Sequence, residues 1–359
     1  MMRRLLVPLI FLTLLLTWAA GPGPLESVPV IARGLRAVAL GPELPVRLAD
    51  RDFWRLSTEW SEPNGYFRSE NLTSNELLFQ HVITDLVART HPGNVYLGVG
   101  PEQNYTYIAA VKPSMAVIFD IRRGNLHLQL MYKALFELAA DRVDFVSMLF
   151  AKPRPAGLGP KSTAVAIFSA FARSPRSEAL YTQTLGAMRN HLTKTHALPL
   201  PAEDLDGIEY VYHAFFRGGF AVRPSPTYAD LMLATDEAGV YKSYLASEDR
   251  FAVMKNLESK NLVIPVVGDF GGPKAIRAVG AYLKAHGATV STFYLSNVEQ
   301  YLEQDRKWNL FCRNVASLPL DRSSTFIRSS NRSRGFGGFG PGFVSQLGTM
   351  VEETRNCGT

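Results

Sequence analysis

The chain has 359 residues, 47% hydrophobic and 19% charged, with a formal net charge of +6. That length holds one large domain or two small ones, with a sizeable core in either case. The positive balance does not describe a nucleic-acid partner, because the basic residues are scattered and group only at Arg122-Arg123 and between Arg328 and Arg334, without interleaved stacking aromatics.

Arg3-Arg4 precede an uncharged stretch from Leu5 to Ala20, followed by Gly21-Pro22-Gly23-Pro24. A charged start, a short apolar run and small residues at its end predict a signal peptide over 1–20 or, if uncleaved, an N-terminal membrane anchor. In both cases the arginines stay in the cytoplasm and the body is exported, to the periplasm or cell envelope. Residues 21–45, rich in Pro, Gly and Leu, read as a linker before an α/β domain over 46–330.

Within that domain, apolar positions recur at helical spacing from Asn75 to Thr90, with Thr73 or Ser74 as the N-cap. A buried strand leads from Asn94 into the glycine turn Gly98-Val99-Gly100. A helix over Gln103–Val111 and a second strand, Val117-Ile118-Phe119-Asp120, follow, with another helix over 125–140. Residues 141–260 read as a helical insertion or lid, clearest over 174–196 and 202–216, with a loop at 152–160. The sheet resumes at 261–269, with a helix to Ala285, a strand to Leu295 and a helix over Val298–Gln304. Apolar stretches at 309–318 and 325–328 predict late strands. The tail, 331–359, contains a glycine-aromatic loop at Gly335–Gly342.

Strand, glycine turn, helix, strand and acid make the opening of a Rossmann-like, doubly wound sheet, whose ligands bind at the carboxyl ends of the strands. Gly98 and Gly100 allow close backbone approach, and Asp120 is placed to accept from ribose hydroxyls. The third glycine of the dinucleotide fingerprint is replaced by Gln103, which disfavours a pyrophosphate-bearing cofactor. A ligand without phosphates, such as S-adenosylmethionine, tolerates the looser turn.

The polar residues at the predicted strand ends converge in such a sheet. They are Glu102, Gln103 and Asn104 after the first strand, and Asp120, Arg122 and Arg123 after the second. Asp269 follows a later strand, and Asn297, Glu299 and Gln300 the next. Together they outline a polar pocket, against the simpler reading that they cap helices and pair with one another. Asp269 is either a base or ligand-binding carboxylate, or part of the turn Gly268-Asp269-Phe270-Gly271-Gly272. The histidines form no set: His191 and His196 are five apart, wrong for one α-helical face, and no metal site is expected. Cys312 and Cys357 either form a disulfide tying the tail to the body, or Cys312 is a small buried hydrophobe. No G-x-S-x-G elbow occurs.

The runs Tyr96-Leu97-Gly98-Val99-Gly100-Pro101-Glu102-Gln103-Asn104, Asp120-Ile121-Arg122-Arg123, Gly268-Asp269-Phe270-Gly271-Gly272-Pro273-Lys274 and Ser296-Asn297-Val298-Glu299-Gln300-Tyr301-Leu302 form a recognisable set. Leu318-Pro319-Leu320-Asp321 and Ser324-Thr325-Phe326-Ile327-Arg328 complete it. The set resembles an uncharacterised bacterial family with an S-adenosylmethionine-methyltransferase-like fold, over about residues 50 to 330. The resemblance implies a mostly parallel α/β sheet of methyltransferase type and a cofactor position at Gly98, Gly100, Glu102, Gln103, Asn104 and Asp120. Asp269 would then face the acceptor. The acid that usually precedes the glycine turn is absent, with Tyr96 and Leu97 in its place.

The expectation is an exported or membrane-anchored protein binding a small polar or nucleoside-type ligand, with S-adenosylmethionine-dependent methyl transfer as the candidate reaction. Its rival is a non-catalytic envelope binding or scaffold protein that kept the fold without the cofactor. A hydrolase using Asp269 and Glu102 is a third reading.

Overall fold

The computed structural model describes residues 43–331 and 343–357. The expected leader over 1–20, almost all of the linker and the Gly335–Gly342 loop lie outside the described residues.

Six strands form one sheet: β1 (Val95–Val99), β2 (Met115–Asp120), β3 (Val263–Val267), β4 (Val290–Ser296), β5 (Thr325–Asn331) and β6 (Phe343–Thr349), in the order β3-β2-β1-β4-β5-β6. Pairing is parallel from β3 to β5, and β6 is added antiparallel to β5. β2 and β3 are buried along their whole length and β1 up to Val99, as apolar runs covered on both faces are. The sequence reading holds for these strands and misses β6, which begins beside the glycine-rich stretch.

The helices before the middle segment are α1 (Asp50–Trp60), α2 (Ile83–Arg89), α3 (Gln103–Val111) and α4 (Arg123–Leu138). The middle is helical, as expected: α5 (Arg142–Leu149), α6 (Ala164–Arg173), α7 (Glu178–Asn190), α8 (Ala202–Gly218), α9 (Tyr228–Leu233) and α10 (Glu248–Ser259). Beyond it come α11 (Ala275–Ala285), α12 (Val298–Gln304), α13 (Trp308–Ala316) and α14 (Met350–Glu353). Right-handed crossovers carry β1 to β2 to β3 in one direction and β3 to β4 to β5 in the other, so their helices fall on opposite faces. Accordingly α10 packs on α3 and α4, while α11 packs on α1 and α13.

Three local expectations are corrected. The helix expected from Asn75 begins only at Phe79 as a 3-10 turn. Ser74 is not its cap: the Ser74 hydroxyl accepts from Glu76 N and donates to Gln103. The apolar run at 309–318 is helix α13, because Phe311, Asn314 and Val315 share one buried helical face, a pattern short apolar runs leave ambiguous. After α7 the chain widens into a π turn over His191–Thr195, closed by His196 N donating to His191 O. In that turn residues five apart come together, so His191 and His196, expected to diverge, both reach Glu137.

The middle segment is bonded to the sheet layer through an aromatic cluster. Tyr105, Tyr132, Phe136, Phe145 and Tyr244 are fully buried, with Phe136 and Phe145 stacked at 4.7 Å between centroids. Such pairs add about 0.5–1.5 kcal/mol each beyond the area they bury. This ties α5 and the approach to α10 onto α3 and α4. At the other end, Cys312 and Cys357 form a disulfide that joins α13 to the turn after α14, which settles the two readings of Cys312.

Candidate functional site

β1 and β4 lie side by side while their continuations run to opposite sides, which makes their carboxyl ends the switch point where open α/β sheets leave a crevice. A cavity of about 440 Å³ sits there. Val99, Gly100 and Pro101 form one wall, Asp120 and Ile121 the next, Asp269 and Phe270 another, and Tyr294, Ser296 and Asn297 the last. Aromatic rings of Tyr66, Phe67, Tyr301 and Phe343 complete the lining.

The two glycines of the turn do different jobs. Gly100 has φ +75°, lines the cavity, and a Cβ there would meet nothing within 4 Å. Gly98 does not line it: a Cβ would fall 1.8 Å from Asn104 Oδ1 and 2.8 Å from the Tyr96 ring. The space beside Gly98 is filled by Asn104, whose amide donates to Val99 O and Pro101 O and whose Oδ1 accepts from Tyr96 OH. Gly98 and Asn104 therefore hold the turn and lie off the cavity surface, whereas the sequence reading sets them against a cofactor.

Glu102 and Gln103 are likewise off the cavity surface and completely buried. They anchor the segment Tyr66 to Glu76, whose last residues the sequence reading takes as a helix start, and which crosses the strand ends as a strap. Ser74 N donates to both Glu102 oxygens, at 3.1 and 3.3 Å, and Ser74 Oγ donates to Gln103 Oε1. Gln103 Nε2 donates to Glu76 Oε2 at 2.8 Å, and Glu76 Oε1 accepts from Tyr294 OH at 3.0 Å and from Ser296 Oγ. Ser296 holds a left-handed φ of +51°, uncommon for a non-glycine residue, at the cavity edge. Burial pushes the Glu102 carboxyl up to about 7, against the backbone bonds from Ser74 and the field of Arg223.

Asp120 reaches the cavity as expected, yet Arg122 already occupies it: Arg122 Nε and N donate to Oδ1 at 3.1 and 2.9 Å, and an Arg122 terminal nitrogen to Oδ2 at 2.9 Å. Burial raises this carboxyl, and Arg122 opposes the rise. Arg122 itself does not line the cavity. Asp269 lines it with Oδ2 2.6 Å from Lys307 Nζ and Oδ1 accepting from Gly271 N. The turn reading is therefore right in part. The helix that follows is closed from elsewhere, since Glu62 accepts from Asp269 N, Lys274 N and Ala275 N. Glu62 thus already occupies two of the N–H groups at the start of α11.

Three other expected pocket residues lie elsewhere. Arg123 pairs with Asp204 through two bonds of 2.6 Å, joined by His127 at 2.8 Å, and this ties α4 to α8. Glu299 pairs with Arg328, and Gln300 is exposed on α12. Burial would raise Asp204, but its bonds from Arg123 and His127 hold it below the usual carboxylate range. Asp204→Asn is therefore expected to cost about 2 kcal/mol in urea unfolding by weakening charge-assisted bonds on a buried group, with the cavity untouched.

The signals that were missed are polar. Glu76 is buried at the cavity wall, and Thr73 Oγ1 and Arg223 Nε, both buried, have no hydrogen-bond partner there. Among the described residues, Arg223 is the only part of the middle segment that lines this cavity. An aperiodic polar stretch with aromatics (Tyr66-Phe67-Arg68-Ser69) following an amphipathic helix was the available clue.

A family model described as a domain of unknown function (DUF7790) matches residues 71–340, well over half of the chain, from the strap through β5. The chain belongs to that family. No curated protein matches it.

Proposed function

We propose that this DUF7790 chain binds a small, phosphate-free polar ligand of nucleoside type in the cavity at the ends of β1 and β4, and that the sheet is a Rossmann-like one of methyltransferase type. The observation that carries the reading is the 440 Å³ cavity at the switch point, whose lining combines the carboxylate residues Asp120, Glu76 and Asp269 with the aromatic residues Phe270 and Tyr301. Asp120, Glu76 and Asp269 supply acceptors for hydroxyl groups, and Phe270 and Tyr301 supply faces for a planar ring. The volume suits a molecule of that size. The strand order is that of Rossmann-like sheets in general, and the antiparallel β6 favours the methyltransferase type over an all-parallel dinucleotide sheet.

If the protein is an enzyme, S-adenosylmethionine is the cofactor we propose, with Gly100 and Asp120 against it and Asp269 toward the acceptor. The second reading, a binding protein without a reaction, is favoured by the Arg122 guanidinium, which already donates to the Asp120 oxygens that would otherwise accept from ribose hydroxyls. We place the protein in the envelope, on the strength of the leader pattern and the Cys312–Cys357 disulfide. No helix among the described residues is long and apolar enough to cross a membrane.

The test is thermal unfolding of the full chain with S-adenosylmethionine, S-adenosylhomocysteine, adenosine and nucleoside phosphates. A ligand present at 100 times its dissociation constant is expected to stabilise by about 2.7 kcal/mol, and the gain should vanish in Asp120→Ala. Stabilisation by nucleoside phosphates alone, or by none of these molecules, would remove the reading. Methyl transfer from bound S-adenosylmethionine then separates enzyme from binding protein.

A further inference from the structure

Away from the cavity, four segments distant in sequence meet at a second polar cluster. The π turn after α7 aims His191 Nε2 and His196 Nε2 at the same atom, Glu137 Oε2, at 2.8 and 2.6 Å. The two imidazole planes cross at 89° with centroids 4.7 Å apart, so their lone pairs converge instead of stacking side by side. Behind His196, Asp50 Oδ1 lies 2.6 Å from Nδ1 and is itself held by Asn261 Nδ2 at 2.8 Å. The other oxygen of Glu137 accepts from Lys133 Nζ at 2.6 Å, which leaves Oε2 to the histidines.

A carboxylate behind Nδ1 fixes the proton there and turns the Nε2 lone pair forward, toward Glu137. Lone-pair atoms facing each other at such distances repel unless a cation lies between them. A proton serves one nitrogen–oxygen pair at a time, whereas one divalent ion serves all three atoms at once. Two imidazole nitrogens and one carboxylate oxygen, with a fourth position left for water, are a donor set for zinc and its borderline neighbours.

We propose that Glu137, His191 and His196 bind a divalent first-row transition-metal ion, zinc by its donor set, with Asp50 as the outer carboxylate that orients His196. The three ligand atoms lie within 4.8 Å of one another, and among the described residues no other His, Cys, Asp and Glu group is gathered this closely. A tetrahedral zinc site separates its ligand atoms by about 3.3 Å, so the imidazoles move apart from Glu137 Oε2 by about half an ångström when the ion enters. The side chains of Glu137, His191 and His196 are 8 to 15% exposed, enough to admit an ion and its water. The bound ion pins the π turn to the end of α4, and Asp50 extends the link to α1.

The test uses the full chain stripped with chelator. Titration with zinc chloride is expected to show one saturable equivalent and a rise in melting temperature. Cobalt(II) is expected to give the intense visible bands of a tetrahedral site. His191→Gln and His196→Gln should each abolish the cobalt bands, and Asp50→Asn should weaken zinc by about 10–100-fold. The melting temperature of each variant in chelator, compared with that of the wild-type chain in chelator, separates lost metal from lost fold. Absence of saturable binding by the wild-type chain, octahedral cobalt bands only, or zinc affinity unchanged in both glutamine variants would each overturn the site and leave a proton-bridged histidine clamp.

Discussion

Gly98→Ala is expected to destabilise the protein by about 5 kcal/mol, while Gly100→Ala two residues later costs about 1–2 kcal/mol. The added methyl at Gly98 collides with Asn104 Oδ1 at 1.8 Å and with the Tyr96 ring, and Asn104 has no slack to yield. Moving it breaks its bonds to Val99 O, Pro101 O and Tyr96 OH, all inside the protein, and leaves the groups unpaired. At Gly100 the methyl meets open space and only the positive φ is penalised. Chemical denaturation of both variants reads the difference. The ligand response should follow the opposite ranking: Gly100→Ala folds and loses the thermal shift, because its methyl enters the cavity. Equal stability losses would mean that Asn104 does not fill the space beside Gly98.

The second large effect is a pH dependence centred on Glu102. Its carboxyl keeps its proton in the folded protein up to about pH 7, because burial disfavours the charge, whereas in the unfolded chain it releases the proton near its ordinary value of 4.5. Its contribution is therefore fully present below about pH 4.5 and is lost as pH rises through about 7. The total loss is about 3 kcal/mol. Glu102→Gln cannot ionise, and its amide oxygen still accepts from Ser74 N. Stability measured by urea unfolding from pH 4.5 to 8 should therefore fall less steeply in the variant. The gap between the two proteins should grow by about 3 kcal/mol across that window. Glu258, also pushed up to about 8 by burial, adds the same slope to both proteins and cancels. Parallel curves would show that Glu102 titrates as an ordinary carboxylate. The consequence for the site is direct, since Glu102 holds the strap at Ser74, and charging it loads the segment that walls the cavity.

Legibility in the sequence tracked the range of the interactions involved. The β1 turn, α3 and the acid ending β2 were read within a residue or two, because apolar runs and glycine punctuation are local signals. The same locality misled at α13, where a short apolar run fits either period, and at His191 and His196, where an α-helical spacing was assumed and a π turn was formed. Asp120 and Asp269 were placed at the correct edge, but not with Arg122 and Lys307 already on them.

By itself the sequence determined the α/β class, the parallel central strands and the edge of the sheet where a ligand cavity would open, since hydrophobic periodicity and turn residues encode each of these within a few positions. Tertiary structure alone decided which polar residues face that cavity. Glu62 closes a helix start more than two hundred residues away, Ser74 captures Glu102 and Gln103, and Asp204 removes Arg123 to another face. A carboxylate or guanidinium has several partners open to it in the unfolded chain, and burial selects among them only when distant segments arrive together. That selection brings Arg223, a residue of the middle segment that no motif singled out, to the cavity wall.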